Sequence, residues 1–495
     1  LCIISNNYVS DLPEAGLTPD TLTPMPYLTN REHLLSHGPV QLRSMLLQCL
    51  EAGLERADPG KAVLETVRWT GKRLLVKDQA IPLQEGRRIL VLGAGKASYP
   101  IAEALESILG ERIFDGVVIC KHGQPGRLQR CRLYPAAHPI PDQNGLRAAT
   151  EALKLAASTR DGDIVFGCVT GGSSALMPLP APGISLEDKQ AANRILLGCG
   201  ADITEINAVR KHLSRIKGGR LAMALHPGAR LINLTVSDVI NDPLDYITDP
   251  TVPDTSCFQD ARRTLDKYEL WERVPASVRR HLNRADPAEE SPKHEDLADR
   301  FRQDIVLVPG TAACEGAAAK AARMGYQPIV LSTMFRGESR ELGRHLAAVA
   351  KEIALHGRPF APPCLLIGGG ETTVTLSEAA GSGGPNQEFV LGAALELEGL
   401  PGVAVAGLDT DGTDGPTEAA GGLADATTLL RARKLGLDLF AALKEHNALP
   451  VLKRLEDLIL TGSTGTNVND LKLICIAGRK ASSSDSRPTL PVTLP

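Results

Sequence analysis

Aromatic residues are scarce in this chain, 3% of its 495 residues with only two tryptophans. That is too few rings for base-stacking platforms or for the aromatic belt of a membrane protein. An excess of either charge is missing too: Lys plus Arg total 54 against 58 Asp plus Glu, a net charge of −4. No electrostatic footprint for nucleic acid follows from that balance. No apolar run reaches the ~18–20 residues that a membrane span requires. The ten cysteines include no C-x-x-C pair and no Cys/His cluster of zinc spacing. Several lie in apolar runs, as Cys120 and Cys475 do, where a thiol acts as a small buried hydrophobe in a reducing compartment. The first residues, LCIISNNYVSDLPEAG, lack the basic segment and apolar core of a secretory signal. These absences argue against nucleic-acid readers, membrane spans and disulfide-built secreted folds. They point to the cytoplasm, with a mitochondrial location left open.

What the chain has in quantity is glycine, 47 residues, beside 34 prolines and 43% hydrophobic residues, which suits a globular protein of more than one domain. Residues 1–38 are rich in Pro, Thr, Asn and Asp and read as a poorly ordered tail. Over 41–56, Leu42, Met45, Leu46, Cys49 and Leu50 recur at helical spacing. Strand signals at 88–92, 115–120, 163–169 and 230–237 then alternate with helical ones at 97–109, 145–158, 186–197 and 205–215. Such alternation predicts an α/β fold of two domains with mostly parallel sheets flanked by helices. The stretch NRADPAEESPKHEDLADR at 283–300 is charged and nearly free of large apolar residues, and it marks the domain boundary. The reading is a Rossmann-like unit over 39–285, a linker over 286–300, a second α/β unit over 301–478 and a disordered tail over 479–495.

The glycines fall at the ends of apolar strands. In an open parallel sheet the ligand crevice lies beyond the carboxyl ends of the strands, where glycine lets backbone N–H groups approach phosphate. After ILVL come Gly93, Gly95 and Lys96 in GAGKAS, a turn that misses the dinucleotide fingerprint at Ser98 and the Walker A pattern at Ala97. It reads either as an anion site built on a lysine or as a tight turn with a solvated lysine. After DIVFGCV come Thr170, Gly171, Gly172, Ser173 and Ser174, donors for an anion or a loop with a serine cap. Asn207, Arg210 and Lys211 share a helix with Lys217 close behind, either converging on a ligand or forming a solvated basic face. A fourth strand ends in Asp238 and Asp242, carboxylates that suit Mg²⁺ or a hydroxyl proton and equally suit turns.

The second half repeats the pattern. Gly369, Gly370, Glu371 and Thr372 follow the strand CLLI; Asn386, Gln387 and Glu388 open a helix; Asp409, Asp411 and Asp414 follow VAVAGL. Those three acids beside glycines look like a metal or phosphate loop, though not an EF-hand, whose last ligand position would be Ala420. TGSTGTN at 461–467 is a further hydroxyl-rich turn. So many clusters on both sides of the linker imply a large anionic ligand in an interdomain cleft.

In order along the chain, GAGKAS at 93–98, VTGGSSALMPLP at 169–180, INAVRKHLSRIKGGRLA at 206–222, LTVSDVINDP at 234–243, GGGETTV at 368–374, GGPNQE at 383–388, DTDGTDGPTEAAGG at 409–422 and TGSTGTNVND at 461–470 resemble the motifs of one family. It is the glycerate 2-kinase family, the type with a C-terminal MOFRL domain. The resemblance implies ATP-dependent phosphorylation of the 2-hydroxyl of D-glycerate with Mg²⁺, in a cleft between two α/β domains. D-glycerate and ATP are then the partners, with no nucleic acid or membrane and with room for a homodimer. It implies a catalytic Lys96, with Asp238 serving the metal or the hydroxyl proton. Gly171, Gly172, Ser173, Ser174, Asn207 and either Arg210 or Lys211 would hold the substrate. Gly93, Gly95, Lys217, Gly369, Gly370, Glu371, Thr372, Asn386, Gln387 and Glu388 would contact the nucleotide, and Asp242, Asp411 and Asp414 the metal.

One position departs from the pattern. The family's motif reads G-G-R-N-Q-E, with an arginine regarded as catalytic, and Pro385 stands there in this sequence. Either another cation such as Arg336 or Arg340 substitutes, or the chain is a glycerate- or nucleotide-binding paralogue of reduced activity. A nicotinamide-dependent oxidoreductase is the third reading. Against it, the strand VVIC runs into Lys121 instead of the ribose-binding acid.

Overall fold

The computed structural model describes residues 27–478 except 72, 83–85, 125, 240–242 and 377–379. Residues 1–26, 479–495 and Asp242 therefore lie outside the described residues, whereas 27–38, which the sequence reading places in the poorly ordered tail, carry the helix Arg31–Leu34 with Leu28 and Leu34 buried. The strands are β1 (Val67–Trp69), β2 (Arg73–Val76), β3 (Gln79–Pro82), β4 (Ile89–Ala94), β5 (Ile113–Lys121), β6 (Cys131–Ala136), β7 (Ile164–Val169), β8 (Arg230–Val236), β9 (Arg302–Val308), β10 (Gln327–Phe335), β11 (Cys364–Gly370), β12 (Val403–Asp409), β13 (Gly421–Asp425), β14 (Leu458–Ile459) and β15 (Asp470–Ile476). β1 to β3 make a small antiparallel sheet that the sequence reading passes over, since strands of three or four residues carry little periodicity.

The first large sheet runs β6-β5-β4-β7-β8-β9 with every pair parallel. Helices cover both faces, so β4 and β7 are buried throughout and read as unbroken apolar runs. β6 carries Pro135, tolerable because it is an edge strand. Strand order reverses between β4 and β7, the switch point where a crevice opens beyond the carboxyl ends.

The second sheet runs β10-β11-β15-β12-β13-β14, and only β10 and β11 pair in parallel. The α/β class holds, but the expectation of a mostly parallel second sheet does not. A strand covered on both faces is a continuous apolar run whichever way it points, so direction had to come from the connections. Here β12 turns back into β13 through a loop, and β15 inserts antiparallel between β11 and β12.

Two elements cross the boundary read from the sequence. β9 completes the first sheet, although 301–478 was assigned to the second unit. The helix Val40–Arg56, assigned to the first unit, packs on the helix Ala312–Arg323 and on β12 and β15. That crossing needs two glycines: a methyl on Gly53 would lie 2.9 Å from the Ala313 carbonyl oxygen, and one on Gly316 2.4 Å from that of Ala52. The charged stretch is no free linker either, because Glu290 pairs with His212 and Ser291 donates to Asp254. One apolar core, from Val91 and Phe166 through Leu47 and Ala313 to Ile367 and Leu473, joins the two sheets. Among the described residues no helix is long and apolar enough to cross a membrane.

Arg43, fully buried on the helix Val40–Arg56, pins that helix to the second unit through Asp425 and Asp457. Breaking a buried pair strands its partner's charge. Arg43→Ala is expected to lower unfolding free energy by about 3–5 kcal/mol in denaturant titration.

Candidate active site

Lys96 follows β4 in a turn fastened to the turn after β7. Lys96 N donates to the Gly171 carbonyl at 2.9 Å, and Ala97 N to Thr170 Oγ1 at 3.2 Å. Gly95 (φ +141°) makes the approach possible, since a methyl there would lie 2.1 Å from Thr170 Oγ1. The lysine crosses the cleft: Nζ donates to Asp411 Oδ2 at 2.6 Å, on the loop after β12. Asp411 Oδ1 accepts from Thr413 N and Oγ1 at 2.8 and 2.7 Å. Asp238, after β8, accepts from Asn467 Nδ2 at 3.1 Å and stands against Gly171, where a methyl would strike its Oδ2. A cleft of about 190 Å³ opens between Lys96, Lys121 and Gln124 on one side and Asp411, Thr413 and Ser463 on the other.

Acid outweighs base here. Burial disfavours the Lys96 ammonium, but Asp411, Asp409 and Asp238 outweigh it and hold its pKa above the usual lysine value. Burial, with Asp411 and Asp470 nearby, holds the Asp409 carboxyl well above the ordinary range. Glu371, after β11, is raised by burial, Asp238 and Asp470, and Asp238 by burial with Lys96 opposing. Carboxyls held up against a single lysine suit a cation, although no three described acids or histidines are grouped to cage one.

Several residues expected to face a ligand are turned inward. Asp414, 1% exposed, accepts from Asn386 N and Gln387 N through its two oxygens, capping the helix Pro385–Leu397 instead of presenting an open metal ligand. Asn386 donates to Asp470 and accepts from Lys472, Gln387 donates to Thr417, and Glu388 pairs with His446. Thr372 donates to Asp470, while Gly369 and Gly370 lie inside β11 against Cys314 and Phe335. Lys211, 2% exposed, is held by Asp245 and Asp254, and Lys217, 3% exposed, by Asp249, so neither basic residue is open to an anion. Arg210 donates to Asn193. Among the described residues the side chains of Asn207, Ser173 and Ser174 have no hydrogen-bond partner. Gly93 sits within β4 and Gly172, in the left-handed region at φ +87°, precedes Ser173. The sequence reading missed Lys121, His138, Asn467 and Asp470 as site residues; only Asn467 and Asp470 carried a signal, their place in the motif TGSTGTNVND.

A family model described as a domain of unknown function (DUF4147) matches residues 45–283, and the MOFRL family model matches 364–470. A protein from Pyrococcus horikoshii named glycerate 2-kinase is 40% identical, covering 89% of this chain and 99% of that protein. A relative from Agrobacterium vitis that bears a hydroxypyruvate reductase name is 36% identical, covering 91% of this chain and 98% of its own. The crystal structure of glycerate kinase from Thermotoga maritima superposes with a TM-score of 0.76 at 36% identity, covering 89% of this chain and 100% of that one.

Burial drives the Asp414 carboxyl from 3.8 up to about 7, against the N–H donors that favour its charge. Between those values the folded protein keeps a proton that the unfolded chain has lost, so stability falls as pH rises through the window. Asp414→Asn is expected to flatten that slope when denaturant midpoints are compared across pH.

Proposed function

Because the chain belongs to the glycerate kinase family with a C-terminal MOFRL domain, we propose that it transfers the terminal phosphoryl group of ATP to the 2-hydroxyl of D-glycerate. The observation that carries this reading is Lys96, set at the switch point of one sheet and facing the acid loop of the other. Phosphoryl transfer asks a protein mainly for positioning and charge neutralisation. Lys96 meets the transferring group and Lys121, on the same wall, the neighbouring phosphate oxygens. The turn from Gly171 to Ser174, with Asn207 and Arg210, holds the substrate, its unpartnered hydroxyls and amide serving the glycerate oxygens. No three of the acids form a cage of their own, so Mg²⁺ would come with the nucleotide and draw single ligands from Asp238, Glu371 and Asp409, whose carboxyls are held up, and from Asp411 beside Lys96. When bound, the ion supplies further neutralisation of phosphate charge. The buried thiols fit a reducing compartment, for which the cytoplasm is the reading.

A second reading is favoured by Pro385, which opens the helix Pro385–Leu397 and offers only its carbonyl, to Ser339. The chain would then bind glycerate and nucleotide with little turnover. Arg340 donates to the Leu443 carbonyl, whereas exposed Arg336 follows β10 and bears on Glu371, making it the stand-in cation.

Assays with D-glycerate separate the readings: 2-phosphoglycerate formed from Mg-ATP supports the kinase, binding without product the paralogue, and reduction of added NAD⁺ in the absence of ATP an oxidoreductase. Lys96→Ala is expected to lower kcat by about a thousandfold or more with the fold intact by circular dichroism, and near-normal turnover would overturn its role. Pro385→Arg is expected to raise kcat at least ~tenfold if the proline limits the rate, and to leave it unchanged if Arg336 already supplies the charge.

A further inference from the structure

A histidine that none of these roles uses stands beside Lys96, at the Gly172 turn. His138 lies two residues beyond β6, beside Lys121 at the end of β5, whose register partner is Ala136. Its ring stands over the turn after β7: a methyl placed on Gly172 would meet His138 Cδ2 at 3.4 Å, its Nε2 at 3.5 Å and Lys96 Cγ at 3.4 Å. Imidazole and lysine therefore flank the same backbone atom. The ring is half buried, yet among the described residues neither nitrogen has a hydrogen-bond partner, and neither is sealed from solvent. A histidine kept for the fold normally spends at least one nitrogen on a neighbour. This one holds both in reserve at the wall where an acceptor would lie.

We propose that His138 takes the proton of the acceptor hydroxyl as that oxygen attacks, a role that rests on the kinase reading above. The O–H bond breaks and its proton passes to an imidazole nitrogen. The freed electron pair forms the new bond to the terminal phosphorus of ATP, the bond from that phosphorus to the bridging oxygen breaks, and the pair leaves with ADP. The imidazolium then returns the proton to water.

The charges around the ring make this conditional on the phosphoryl donor. Burial, Lys96 and Lys121 depress the imidazole to about 4, with Asp411 opposing, so the free enzyme holds it neutral. A polyphosphate seated on the same two lysines offsets their charge and raises the ring's proton affinity when it is needed. Asp238, the other candidate, faces Gly171 instead, already accepts from Asn467 and stands among the acids assigned to the cation.

The test compares wild type with His138→Gln, which keeps a hydrogen-bonding group but accepts no proton, in steady-state kinetics with D-glycerate and Mg-ATP across a pH series. The expected result is a loss of about a hundredfold or more in kcat, a glycerate KM within about threefold, and disappearance of the acidic limb of the kcat profile. Added imidazole is expected to restore part of the activity of His138→Ala. A His138→Gln enzyme at wild-type kcat, or one impaired only in KM, overturns the proposal while the kinase reading stands. If the glutamine variant fails to fold by circular dichroism, the alanine variant decides, and absence of imidazole rescue in a folded His138→Ala enzyme overturns the proposal. Absence of turnover in wild type overturns the kinase reading itself, and this role with it.

Discussion

The ammonium of Lys96 on the carboxylate of Asp411 is the contact around which the cleft is organised. The lysine belongs to the first sheet's switch point and the acid to the loop after β12, so this ion pair, with the Asn467–Asp238 hydrogen bond beside it, ties the strand-end turns of both units together. The loops behind it leave little slack: a methyl on Gly412 would lie 1.9 Å from the Gly462 carbonyl oxygen, and Thr464 Oγ1 donates to the Thr410 carbonyl across the same gap. Without a cation here, Glu371 would confront Asp238, and Asp409 would confront Asp411, in a partly desolvated space.

That balance has consequences for what enters. An anion arriving alone competes with Asp411 for Lys96 and meets a surplus of acid behind it. On the proposed reading, an anion arriving with a divalent cation would meet neither problem, because the cation would neutralise the carboxylates and leave the lysine to the phosphate. The site would then favour a charge-compensated ligand before any shape is considered.

The parts of this arrangement that are local in sequence were legible there. The glycine turns, Lys96 and the acid loop announce themselves because a strand end and its turn are adjacent residues. What depends on partners elsewhere was not. Lys211 and Lys217 look like open cations until Asp245, Asp249 and Asp254 are folded against them from a stretch with no periodic signal. Asn386, Gln387 and Glu388 read as ligand contacts because a polar helix start looks the same whether it meets a phosphate or, as here, Asp414, Thr417 and His446. His138 sits in AAHPIPD, where the prolines speak of a turn and nothing speaks of two lysines brought in from other strands. The direction of the second sheet escaped for the same reason, since β15 is placed by an insertion and not by its own pattern.

The position of β15 also bears on how the protein is made. The helix Val40–Arg56 leaves the ribosome early, yet its apolar face is completed by Leu471 and Leu473, and the second sheet lacks its central strand until those residues appear. Vectorial synthesis therefore yields a first sheet that can close up to β9 while an unsatisfied helix trails beside it and five strands wait around an empty slot. The second unit can complete its core only after its last strand has cleared the exit tunnel, so this chain spends nearly its whole synthesis with sticky surface showing.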